Sequence, residues 1–124
     1  MNAWTTDTAR TVTAPEEVHV AVRRADGTLR RPRIIWIVRD GDRVFVRSTN
    51  GRGADWFRSA TASGAGQIIA RETAYDVLFT EVHEESDLAA ADVGYRTKYG
   101  HYASIVDHLE EDGPRAATLE VHPA

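Results

Sequence analysis

Apolar and polar positions alternate with period two in several short runs along this chain. In "EEVHVAVRR", Val18, Val20 and Val22 share one face, the signature of a half-buried strand. "ADGT" follows, an Asp-Gly hairpin signal between two strand-like runs. A second strand is predicted over "LRRPRIIWIVRDG", with Pro32 near its start, where a missing N–H is tolerable. "RDGDR" predicts another tight turn, and "RVFVRS" a third strand. Parity puts Arg43, Phe45 and Arg47 on one face of that strand and Val44, Val46 and Ser48 on the other. Further strands are predicted in "QIIA", "AYDVLFTEV" and "AATLEV".

Helical signals are fewer. Thr5 or Thr6 is placed to cap a short helix over "TDTARTV", ending before Pro15. A second helix is predicted from about Ala54 to Ala62, stopped by the glycines of "SGAG". A third covers "SDLAAADVGYRTKYG", with Ser86 as cap and Gly100 as stop. "HYASIVDHL" is ambiguous, and "EEDGP" reads as a loop. Hairpins dominate and no strand–helix–strand alternation appears, which argues against a doubly wound parallel sheet. The pattern predicts a mainly β fold, an antiparallel barrel of six strands with short helices packed outside. At 124 residues it fits one domain, residues 1–124.

Composition narrows the chemistry. There is no cysteine, so a disulfide framework, a thiolate metal site and a cysteine nucleophile are excluded. The N-terminal "MNAWTTDTARTV" lacks the basic and apolar regions of a secretion leader, and the longest apolar run, "IIWIV", is far short of a membrane span. A cytoplasmic protein without membrane partners is expected. Net charge is −4, but residues 23–58 hold ten arginines against four aspartates. That segment is +6 and the remainder −10, a positive surface on an acidic body. Lysine occurs once and no aromatic-rich RNA signature appears, so nucleic acid is not the expected partner.

Candidate chemistry centres on "VFVRSTNGRGADWFRSA". Two nucleotide readings of its glycines fail. The dinucleotide fingerprint needs a small residue where Trp56 stands, and the phosphate loop needs a Gly-Lys-Ser/Thr that is absent. The physical logic of an anion cradle survives. A strand ends, Gly51 and Gly53 let the backbone turn, and a helix N-terminus offers unpaired N–H donors. Ser48, Thr49 and Asn50 add short polar groups, and Arg47 and Arg52 add charge. The structural alternative is that Asn50 or Asp55 caps the helix and Arg47 faces water. The five histidines show no metal-ligand spacing, and Ser104 lacks nucleophile-elbow glycines. The carboxylates of "EVHEESD" read as a solvated loop, so an enzymatic role would rely on a bound cofactor. The large planar residues Trp36, Trp56, Phe57, Tyr95, Tyr99 and Tyr102 are expected mostly in the core, with one or two free to line a flat-ring pocket.

"RRPRIIWIVRDGDRVFVRSTNGRGADWFRSA", with "YRTKYG" and "ASIV" downstream, resembles a family of small bacterial proteins of unknown function over nearly the whole chain. More remotely, the order Arg-Pro-Arg, strand, Asp-Gly-Asp, strand, glycine turn, Trp is similar to the deazaflavin-dependent nitroreductases. Those belong to the split β-barrel superfamily, with pyridoxamine-phosphate oxidase and flavin reductases. The resemblance implies a six-stranded split barrel, a homodimer, and FMN or deazaflavin in the groove between barrel and subunit interface. It implies that Arg31 and Arg33 are the basic positions before the second strand, and that Ser48, Asn50, Gly51 and Gly53 form the phosphate turn. Trp56 then opens the following helix; Asp55 stands where the relatives have proline. On this reading Arg33 and Arg47 face the phosphate and the ring lies against Trp36 or Trp56. Three functions remain open: a cofactor-dependent oxidoreductase, a non-enzymatic protein binding an anionic small molecule, and a dimeric interaction module with a degenerate site.

Overall fold

The computed structural model describes residues Asn2–Ala124. Its strands are β1 (Val18–Val22), β2 (Arg33–Ile35), β3 (Ile37–Asp40), β4 (Arg43–Arg47), β5 (Ala65–Ala70), β6 (Thr73–Glu81) and β7 (Thr118–Pro123). They form one antiparallel sheet in the order β2-β1-β5-β6-β7-β4-β3. The two end strands of that order, β2 and β3, are consecutive in the chain. The curved sheet therefore closes on itself through one bent segment.

Seven strands stand where six are expected, and that bend is the reason. The predicted second strand breaks at Trp36. Before the break it pairs with β1, Ile35 opposite Val18; after it, with β4, Ile37 opposite Val46. Alternation runs through the break undisturbed. Ile35 and Ile37 both enter the barrel interior, while Trp36 and Val38 face outward beneath a helix.

Two apolar clusters result. The interior holds Val18, Val20, Val22, Val44, Val46, Ile68, Val77, Leu119 and Val121, all buried. The outer cluster lies between the sheet and helix α3 (Glu85–Tyr99): Val38, Phe45, Ala91, Tyr95 and Tyr99, with Val106 and Leu109 from α4 (Ala103–Leu109). Fully burying a side chain of this size contributes about 1.5–3 kcal/mol, so both layers matter to stability.

Helix α1 (Thr6–Thr13) starts where its cap predicts: the Thr5 hydroxyl accepts from the Thr8 N–H, and Ala9 and Val12 enter the core. Helix α2 (Asp55–Ser63) places Phe57 and Ala60 in the interior and stops at Gly64, whose φ of +73° suits glycine. The start of α3 differs from expectation. Glu84 occupies the cap position without a side-chain bond, and Ser86 lies inside the first turn. The ambiguous segment is α4, and the expected loop contains one helical turn, α5 (Asp112–Arg115), with Pro114 within it. The strands predicted in "QIIA" and "AYDVLFTEV" are β5 and β6, which pair antiparallel around Arg71.

Candidate functional site

Arg47 ends β4 on the outward face, where α3 and α4 cover it. Its guanidinium is fully buried. Nη1 donates to Asp92 Oδ1 at 2.6 Å and to the Leu109 carbonyl at 3.0 Å, Nε donates to Thr118 Oγ1 at 2.7 Å, and the group lies 5.4 Å from the Tyr95 ring centroid. Arg115 completes the network by donating to Asp92 Oδ2 at 3.1 Å and to Glu85. Arg43 is likewise held, by Glu120 and Asp87, and Arg52 by Glu81 and the Ala116 carbonyl. The arginines of the strand and turn thus serve the fold. Four of the five N–H donors of Arg47 are engaged within the fold, the fourth by Nη2 to the Leu88 carbonyl at 3.4 Å.

The turn itself is a single 3-10 turn at Gly51–Gly53. Gly51 has φ +72° and is buried against Gly113, whose carbonyl lies 3.5 Å from where a Cβ would stand. Asn50 makes no capping bond, and α2 has no side-chain cap. The Ser48 hydroxyl is buried without a hydrogen-bond partner among the described residues. Asp55 pairs with Arg58 one turn along. Neither the Ser48 side chain nor Asn50, Gly51 or Gly53 lines either of the two hollows on this side of the barrel.

Those hollows meet at Trp56. The first, about 190 Å³, is flanked by Trp36, Trp56, Tyr95, Ile34, Ile105 and Arg47, with Glu17 and Thr49 as its other polar members. Two tyrosines engage Trp36: Tyr99 stacks on it at 3.9 Å and 4°, and Tyr102 lies tilted to it at 5.5 Å. Trp56 packs edge-on to Phe57, and it is half-buried. Burial pushes the Tyr95 hydroxyl well above its usual range, so it stays protonated. It too has no partner among the described residues.

The second hollow, about 400 Å³, is an arginine groove. Arg24, Arg30, Arg31 and Arg33 border it from the β1–β2 hairpin, and Asp55, Trp56 and Arg58 from α2, with Asp55 tied to Arg58. Among the described residues, the side chains of Arg30, Arg31 and Arg33 make no hydrogen bond or ion pair. Arg33 pairs in register with Val20, on the far side of the bend from Arg47. Arg31 and Arg33 therefore share a hollow with Trp56, and Arg47 shares the neighbouring one with Trp36 and Trp56. The added members, Arg24, Arg30 and Arg58, have a partial signal in sequence. Arg30 abuts Arg31 in one basic run, and Arg24 faces it across the Asp-Gly turn. The approach of Arg58 is set by how α2 docks on the barrel.

This antiparallel barrel, closed through a broken strand with helices outside, is the split β-barrel class. Within that class the chain belongs to the bacterial family described as "Uncharacterized protein conserved in bacteria (DUF2255)", whose model matches residues 8–121. Among curated proteins there is no match. Several solved structures share the fold. The heme storage protein HutZ from Vibrio cholerae is 13% identical with a TM-score of 0.68, over 100% of this chain and 92% of that one. A candidate pyridoxamine 5′-phosphate oxidase from Listeria innocua is 11% identical with a TM-score of 0.65, over 94% and 90%. An F420-H2 dependent reductase, FDR-A, is 14% identical with a TM-score of 0.63, over 86% and 94%. At these identities the likeness concerns the fold. No helix among the described residues is long and apolar enough to cross a membrane.

Proposed function

We propose that this protein binds a flavin or deazaflavin, FMN or F420-like, with its ring in the aromatic hollow and its phosphate in the arginine groove. The observation that carries this reading is the shared wall: Trp56 borders both a mainly aromatic and aliphatic slot, with Glu17 and Thr49 at its polar edge, and a groove with three guanidiniums unpaired among the described residues. A flat ring joined to an anion has that same division of chemistry. The combined space falls within the roughly 300–1,000 Å³ usual for small-molecule sites. The chain's residues fit such a group: Arg31 and Arg33 hold the phosphate by charge-assisted bonds, and Trp56 offers a face to the ring. When bound, the cofactor would supply hydride chemistry; the protein would orient it and exclude water. Exposed Ile34 and Ile105 line the ring hollow, and exposed Tyr102 leans on its Trp36, which supports a homodimer in which a second copy covers it.

The test is direct. The purified protein is titrated with FMN and with F420 while tryptophan fluorescence is followed. Micromolar quenching by either is the expected result, and turnover with a nicotinamide donor or reduced deazaflavin then separates an oxidoreductase from a carrier. No response to either cofactor, or preferential binding of haem, would overturn the assignment.

A further inference from the structure

The arginine groove does not end where one phosphate would. It shares Arg24, Arg30 and Ser59 with a third recess of about 530 Å³, between the β1–β2 hairpin and α2. Ser59, Ala62 and Ser63 form its helix wall, small side chains that leave the cleft wide. Its cations are prepared differently. Arg23 is committed to Asp76 and to the Gly27 carbonyl. Arg24 is fixed along the hairpin by bonds to Thr28 and to the Leu29 carbonyl; Asp26, bonded to the same Thr28 hydroxyl, acts on its charge without a direct ion pair among the described residues. Arg30 makes no side-chain bond among the described residues. Arg31 and Arg33 line only the first groove, whereas Arg24 and Arg30 line both.

A single phosphate held by Arg31 and Arg33 would leave Arg30, unpaired among the described residues, on the same walls as Arg24. Asp26 acts on Arg24 and Asp55 is tied to Arg58, so the groove keeps an excess of positive charge, and like charges gathered in a concave surface repel. We propose that the ligand carries at least two anionic groups in a chain, a linear diphosphate or longer polyanion. Arg31 and Arg33 hold the first group, and Arg30 with Arg24 holds the second at the mouth of the third recess. The order of the three spaces, aromatic hollow, groove and recess, makes this an elongated site with its ring end at Trp36 and Trp56 and its anionic end at the hairpin. The inference extends the cofactor reading and rests on it for the ring alone.

Isothermal titration of the whole chain with orthophosphate, pyrophosphate and tripolyphosphate tests it. None of these carries a ring, so a failure of flavin binding would leave the result intact. Pyrophosphate or tripolyphosphate should bind about tenfold or more tighter than orthophosphate, the gain expected from one added charge-assisted bond. Arg30→Ala should remove that gain while lowering orthophosphate affinity far less, since Arg31 and Arg33 hold the first anion, and leave the melting temperature unchanged. Equal affinity for the three ions overturns the proposal, as does a gain that survives Arg30→Ala. An equal loss for orthophosphate in that variant also overturns it, since Arg30 would then hold the first anion. A ten-nucleotide oligodeoxythymidylate binding tighter than tripolyphosphate would mark a nucleic-acid surface instead and overturn it too.

Discussion

Arginine serves two opposed purposes in this chain, and the neighbours of each residue decide which. Arg47 sits under two helices with Asp92, Thr118 and two carbonyls around it, and its side chain is fully buried. Removing one member of a buried pair leaves the other charge uncompensated, at roughly 3–5 kcal/mol. Arg47→Met should therefore lower the unfolding free energy by about that amount in urea titrations; an unchanged midpoint would show the pair contributes nothing net. Arg31 and Arg33, exposed and unpaired among the described residues, have no such structural task. Ser48 makes the converse case. Its hydroxyl is buried without a partner among the described residues, so Ser48→Ala removes a desolvated polar group and should leave stability unchanged or raise it. Ligand affinity should also stay within about twofold of the parent, since bond loss requires a bond; a tenfold loss would return Ser48 to the phosphate turn that the resemblance implies.

At the scale of elements, the fold was largely legible because its punctuation is local. Asp26-Gly27 and Asp40-Gly41 turn where expected, and Gly27 and Gly41 adopt positive φ. The break at Trp36 was not legible, because inward and outward positions keep their parity through it; only the change of partner from β1 to β4 reveals it. The helical turn at Asp112–Arg115 is too short to carry a periodic signal. The site was legible in part for the same reason. Arg31 and Arg33 belong to a visible basic run, but the burial of Arg47 depends on Asp92, 45 residues away. Close strand crossing adds a test of the barrel. A Cβ on Gly66 of β5 would lie 2.5 Å from the Ala21 carbonyl oxygen of β1. Gly66→Ala should cost about 1–3 kcal/mol of stability, read from thermal unfolding, because backbone must shift to admit it. A melting temperature equal to the parent's would mean that β1 and β5 are farther apart than described.

Across the whole molecule, charge is segregated along the chain and gathered by the fold. Residues 23–58 carry +6 on a body of −10, and the β1–β2 hairpin with α2 concentrates the unpaired part of that excess around one groove beside Trp56. The remaining arginines of the segment are tied to carboxylates or carbonyls. The anion site we propose is this groove and not the glycine turn after β4. The measurement that tests it most directly is the FMN dissociation constant, by calorimetry, for the parent, for Arg31→Ala/Arg33→Ala and for Arg52→Ala. The double variant should bind about a hundredfold more weakly, two charge-assisted bonds being lost, while Arg52→Ala, whose partner is Glu81, should bind as the parent does. Parent-like affinity in the double variant together with a tenfold loss in Arg52→Ala would contradict the claim and return the anion to the turn.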